Sequence, residues 1–256
     1  MTTARRVRPD GSGEGFFVSL NDLLIGLLFL FILLLMAFAL RYQTETNQLK
    51  AEVETALTGR RDQRKQLLGE IRAELAKSKI DLDVEDSGET ASFREEVLFD
   101  EGSAELKPAA AIALQALAKA FAAKLPCYGT QKSSAVKCGK NASPLLEAVY
   151  IEGHTDDVRT RKGSKYDDNL ALSSDRAVVA YRRLLAYQPG LETVMNASGT
   201  ATMFGVSAYG EKRPLYPGSN ATAEGRRKNR RIAFRLLLAP LTSEELEQRR
   251  NRASNR

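Results

Sequence analysis

The run "FFVSLNDLLIGLLFLFILLLMAFAL", residues 16–40, constrains this chain more than any other stretch. As a helix rising about 1.5 Å per residue it is roughly 37 Å long, enough to cross a hydrocarbon core of about 30 Å with some tilt. Residues 23–40 carry no charge, yet Asp22 sits inside the run. A charged side chain held in lipid costs at least about 2.5–3.5 kcal/mol. The carboxyl therefore has two escapes: it is neutral, or it faces a partner protein or a wet cavity. Ser19 and Asn21 add hydrogen-bonding groups beside it, and Gly26, one turn on, leaves room for another helix to approach closely. One reading makes Asp22 a proton- or ion-carrying group at a helix–helix interface. The other starts the span at Leu23, with "SLND" as a helix cap and Asp22 favoured by the dipole. The latter strands Phe16, Phe17 and Val18 outside the span.

The flanks give an orientation. Arg5, Arg6 and Arg8 precede the span, so the tail should remain cytoplasmic and everything after residue 40 should be exported. The apolar run exceeds the 7–15 residues of a signal-peptide core, which favours an uncleaved anchor. In an oxidising compartment Cys127 and Cys138 would pair and staple the Gly/Ser/Lys-rich stretch between them. His154 is the only histidine, so neither a zinc site nor another metal centre is expected, and no cofactor. The net charge of +6 is spread along the chain without an aromatic-rich basic strand, which argues against direct nucleic-acid binding.

The expected organisation is a cytoplasmic tail (1–15), a transmembrane helix (16–40), a helical stalk (41–80), a globular domain (81–240) and a charged tail (241–256). The stalk is rich in helix formers, with a break expected near Gly59-Arg60-Arg61. In the globular part, "SFREEVLFD" (92–100) reads as a strand and residues 107–125 as a helix with Pro108 in its first turn. Residues 145–153 read as a strand and 169–187 as an amphipathic helix, followed by strands at "TMFGVSAYG" and "RRIAFRLLL". The fold class is α+β: a βαβαββ sandwich with helices on one face of a mixed sheet. No paired carboxylates, metal cluster or nucleophile stand at a plausible catalytic site, so an enzyme is not expected.

"YIEGHTDDV", "NLALSSDRAVVAYRRLL", "AYGEKRP" and "RKNRRIAFRL", preceded by "LFDEGSAELKPAA", follow one another in the order of the OmpA-like peptidoglycan-binding domain, which residues 93–238 resemble. The resemblance implies binding of the diaminopimelate side chain of cell-wall peptide stems. It places Asp156 at the ligand's ammonium and Arg176, as a forked guanidinium, at its carboxylate. Thr155, Asn169 and Leu172 fall on positions lining the same groove, and Arg230 matches the terminal N-R-R strand. An Asp156–Arg176 salt bridge without a ligand is the competing reading. Residues 158–168 and the stretch "CYGTQKSSAVKCGKNASP" are longer than the family pattern, which puts ligand preference in doubt.

Span, stalk and exported domain together resemble the B subunits of MotA–MotB-type stators, and most closely the ZorB components of Zorya anti-phage defence systems. This implies a proton-carrying role for Asp22, a MotA- or ZorA-like multi-span partner, and a dimer of this chain threading a ring of five partner subunits. It also implies an inner-membrane location with the C-terminal domain in the periplasm. A flagellar MotB-type subunit and a passive peptidoglycan tether are the alternatives.

Overall fold

The computed structural model describes residues 12–130, 136, 138–139, 142–161 and 163–254. The basic tail residues Arg5, Arg6 and Arg8 lie outside the described residues. The chain divides into two units, residues 1–55 and residues 56–256.

The described residues of the first unit, from Ser12 on, are helix. The helix α1, Ser12–Lys77, is 66 residues long and carries the apolar run, whose large side chains from Leu23 to Leu40 are all exposed. A surface of that size and hydrophobicity needs lipid or partner helices around it. The expected break at Gly59 is absent. Glycine costs a helix about 1 kcal/mol, but the residues around it are strong helix formers and Arg60 and Arg64 are anchored by hydrogen bonds.

In the second unit, the rest of α1 presents Ala56, Arg60, Arg64, Leu67, Leu68, Ile71 and Leu75 as a buried stripe at helical spacing. The leucines and Ile71 enter the main hydrophobic core. Arg60 donates to the Ala239 carbonyl at 2.7 Å and Arg64 to the Leu236 carbonyl at 3.1 Å. These guanidinium heads satisfy carbonyls at the end of a strand while their stems cover apolar surface.

A five-stranded sheet follows, built from β1 (Asp83–Val84), β2 (Thr90–Arg94), β3 (Leu146–His154), β4 (Phe204–Gly210) and β5 (Arg231–Leu238) in the order β1-β2-β5-β3-β4. The β3–β4 pair is parallel and the others antiparallel, which makes the sheet mixed. The other α-helices among the described residues are α2 (Glu95–Leu98), α3 (Pro108–Lys124), α4 (Asn169–Tyr187), α5 (Ala223–Asn229) and α6 (Ser243–Ser254). The expected strand over 92–100 is corrected: of it only Ser92, Phe93 and Arg94 pair with β5, and residues 95–98 turn into α2. The reason is chemical, since continuing the strand would break the buried contacts that Glu95 makes where it stands.

The α3 helix buries Ala110, Ala113, Leu114, Leu117, Ala118 and Phe121 against the sheet, where Phe121 packs edge-on to Phe234 with centroids 5.9 Å apart. The α4 helix begins at Asp168, whose side chain accepts the Ala171 N–H at 2.7 Å as an N-cap. It lies so close to β3 that a Cβ on Gly153 would come 2.0 Å from the Ser173 carbonyl oxygen. Only glycine permits that approach, which fixes the height of α4 over the end of β3. Cys127 and Cys138 form a disulfide with Cα atoms 5.4 Å apart.

Candidate functional site

Where β3 ends, the chain leaves the sheet as Thr155-Asp156 and returns as α4. Beside this exit, the β2–α2 junction and the start of β5 close an open cleft of ≈ 810 Å³. Thr155, Asp156, Asn169, Leu172, Arg176 and Arg230 all line it, so the groove residues expected from sequence are brought together. Asp22 lies in the other unit, exposed on α1 among apolar neighbours.

The floor of the cleft is a cluster of charges. Arg176, 2 % exposed, donates through Nε to the Ser103 carbonyl at 2.7 Å and through Nη2 to Glu95 Oε1 at 2.6 Å. The same nitrogen reaches the Asp100 carbonyl at 3.2 Å, and the guanidinium carbon stands 5.4 Å from the Phe99 ring centroid. Asp156 accepts the Val158 N–H at Oδ1 (3.1 Å) and Arg230 Nη1 at Oδ2 (2.5 Å). Arg230 also brings Nε to 3.6 Å from Glu95 Oε2. Asp156 and Arg176 are therefore not paired with each other; each is matched to another cleft residue. Asn169 gives its amide hydrogens to the Asp156 and Val158 carbonyls, at 3.2 and 3.0 Å, and so holds the exit loop rather than projecting a free donor. Thr155 donates to the Asp156 carbonyl at 2.9 Å. Leu172 packs with Ala104 and Tyr166 as an apolar wall.

Sequence reasoning missed Glu95. Burial raises its carboxyl above the ordinary carboxylate range, although Arg176 and Arg230 oppose the shift. No alternation marks it: the strand ends at Arg94 and Glu95 opens α2, where Leu98 is buried with it and Val97 is exposed.

His154, the last residue of β3, is 2 % exposed, and neither ring nitrogen has a hydrogen-bond partner among the described residues. Glu152 Oε2 is 3.5 Å from Nε2, beyond good hydrogen-bond length. Burial pulls the imidazole below its ordinary value; Arg231 and Arg235 push the same way, and Glu152 opposes them. Burial pushes Glu152 up, but His154, Arg235 and Tyr209 outweigh it and leave the carboxyl low. Above pH about 6.5 neither folded nor unfolded His154 is protonated. Below it the unfolded chain takes up the proton first, so stability is lost as pH falls from about 6.5 toward the lower folded value. The loss approaches about 1.4 kcal/mol per pH unit within that window. Urea unfolding followed by circular dichroism between pH 7 and 5 should show this slope, and His154→Gln should flatten it.

No family model matches the chain. It is 36% identical over 113 residues to Motility protein B of Bacillus subtilis, a match spanning 42% of this chain and 39% of that relative's length. With the Zorya protein ZorB of Escherichia coli it shares 26% identity over 241 residues, 91% of each chain. Among solved structures, a MotB-like protein from Desulfovibrio vulgaris is 24% identical, with a TM-score of 0.52, over 70% of this chain and 96% of that one. The chain is homologous to Motility protein B and to ZorB, and its C-terminal domain has the MotB-like fold.

Proposed function

We propose that this homologue of ZorB and Motility protein B is a peptidoglycan-anchored stator subunit that carries protons at Asp22, working in anti-phage defence of the Zorya type. The observation that carries the reading is the pairing, in one chain, of a carboxylate on a lipid-length apolar helix with a cleft whose floor alternates carboxylates and guanidinia. Helix α1 begins at Ser12, well before Asp22, which supports an acid within the helix over one that caps its first turn. The ZorB match runs nearly the full length of both chains, whereas the Motility protein B match covers a minor part, and this favours the defence role over the flagellar one.

The mechanism follows from the two sites. Neutral, the Asp22 carboxyl tolerates an apolar groove between helices; ionised, it must meet water or a cation. Alternation between those states couples proton passage to movement of the surrounding partner subunits. Each elementary charge crossing releases about 2.3 kcal/mol per 100 mV. The few polar groups beside Asp22 make a poor cage for a hard cation that wants about six oxygens, which favours H⁺ over Na⁺. A lone span leaves the acid unshielded, so a MotA- or ZorA-like multi-span partner is required, in the arrangement of five partner subunits around two copies of this chain. The chain would sit in the inner membrane with its N-terminus cytoplasmic. The periplasmic domain would hold the wall while the partner ring turns, its cleft taking the zwitterionic end of diaminopimelate through Asp156, Arg176 and Arg230.

Sedimentation with purified peptidoglycan sacculi tests the anchor. The intact chain should cosediment, and Asp156→Ala, which frees Arg230 from its partner, should reduce retention at least about tenfold. Equal retention of the two would remove Asp156 from the site.

A further inference from the structure

His154 stands immediately before Thr155 and Asp156, but on the other face of the sheet from α4, because Gly153 is the residue that meets Ser173. On that face it is paired across the strands with Arg231 of β5, which is also buried. Both ring nitrogens of His154 and Nε of Arg231 lack a hydrogen-bond partner among the described residues. Burial lowers the Arg231 guanidinium to about 10, which leaves it a cation at neutral pH. The carboxylate beside the imidazole, Glu152 on β3, is already held by Arg235 Nε at 3.1 Å and by the Tyr209 hydroxyl at 3.3 Å. On β4, the Tyr209 ring centroid is 5.3 Å from that of His154 and 3.8 Å from the Arg213 guanidinium. Further out, Glu85 attracts Arg231, and Arg94, the β2 partner of Arg231, is engaged by Asp81, Asp83 and Glu96. Protonation of His154 therefore sets a second cation directly across from a buried one, and like charges so placed push paired strands apart.

We infer that His154 is a positioning residue through which acid loosens the wall-binding cleft: its protonation drives the ends of β3 and β5 apart and carries Asp156 away from Arg230. The path from the charge to the cleft is short. Asp156 is two residues beyond His154, and Arg230 is the neighbour of Arg231. Arg230 holds Asp156 Oδ2 through Nη1 at 2.5 Å, and its carbonyl accepts the Glu95 N–H at 2.9 Å, so a shift of this segment reaches both sides of the floor. The end of β3 is already irregular, its register with β4 shifting between Gly153 and His154. His154 is the only histidine in the chain, and histidine is the side chain whose ordinary pKa lies between pH 5 and 8. Burial lowers it here, so the switch operates below about pH 6.5.

This inference rests on the peptidoglycan reading, and the test separates the two. The full chain in detergent is cosedimented with purified sacculi at about pH 7.5 and about pH 5.5, with circular dichroism recorded at both. Wild type should lose retention at least about fivefold at the lower pH while its spectrum stays that of the folded domain. His154→Gln, polar but without a titrating ring, should hold its retention within about twofold over the same range. An equal loss in both proteins assigns the effect to another acid, foremost Glu95 with its raised carboxyl, and overturns the inference. Wild-type retention that ignores pH overturns it too, as does a spectrum that collapses together with retention. If His154→Gln does not fold, the lone imidazole of wild type is followed by NMR with and without a muramyl tripeptide ending in meso-diaminopimelate. Coupling is reciprocal, so a fivefold effect on binding requires the peptide to move the His154 midpoint down by about 0.7 pH unit. An unmoved midpoint is then the overturning result. Wild type that fails to sediment with sacculi even at about pH 7.5 overturns the wall-binding reading, and this inference with it.

Discussion

Asp22→Asn is expected to abolish activity while leaving the amount of chain in the membrane and its copurification with the multi-span partner unchanged. The two side chains have nearly the same shape, and both can hydrogen-bond, so helix packing should survive. What asparagine cannot do is alternate between a neutral and an anionic form. From Leu23 to Leu40 the large side chains are apolar and exposed and none of them titrates, which leaves that alternation to Asp22 among the described residues of the span. On the proposed defence role, protection against phage in cells that carry this variant and the multi-span partner should fall to that of cells lacking this chain. Full protection by Asp22→Asn would leave the chain a wall tether without ion transport. Asp22→Glu, titratable but one methylene longer, should retain partial activity.

Arg176→Ala should cost the domain several kcal/mol before any ligand is considered. Removing one partner of a buried ion pair typically costs about 3–5 kcal/mol, because the remaining charge is stranded. Here the stranded group is Glu95, whose carboxyl is already raised by burial, and the Ser103 and Asp100 carbonyls lose their donor as well. Domains are stable by about 5–15 kcal/mol in total, so the variant should be near the edge of folding. At about 2–4 °C per kcal/mol, the midpoint of thermal unfolding should drop by roughly 10 °C. A melt unchanged from wild type would mean that Arg176 is not a structural partner of Glu95. Sacculus retention should also be lost, but only the melt separates the structural contribution from ligand contact. Asp156→Ala, with a half-exposed partner, should melt much closer to wild type.

The elements visible in the sequence were those whose apolar residues repeat with one period. The α3 and α4 helices and strands β3, β4 and β5 stand close to where the alternation and helical spacing put them. Elements without that signal escaped. Strand β1 is two residues long, and α5, "AEGRRKN", is polar and held by Thr222 capping the Gly225 N–H at 3.0 Å. The buried stripe of α1 was only half legible, because Arg60 and Arg64 occupy core-facing positions that an apolar pattern cannot reveal. The site divides in the same way. Asp156 and Arg176 are found through motifs, but their partners, Arg230 and Glu95 respectively, come from distant parts of the chain, and spacing along the sequence carries no trace of either pairing.

The attachment of α1 to the sheet decides how tension enters the domain. About six turns of the helix, from Ala56 to Lys77, lie along the core, with Leu67, Leu68, Ile71 and Leu75 interdigitated and two arginines hooked onto the β5 end. A tug on the helix is therefore shared among many side chains sliding in parallel, instead of peeling one backbone link at residues 78–82. Trimming the protein to a fragment that begins at residue 81 would remove this shear joint and expose the greasy seat beneath it, so a faithful soluble fragment has to start by Ala56.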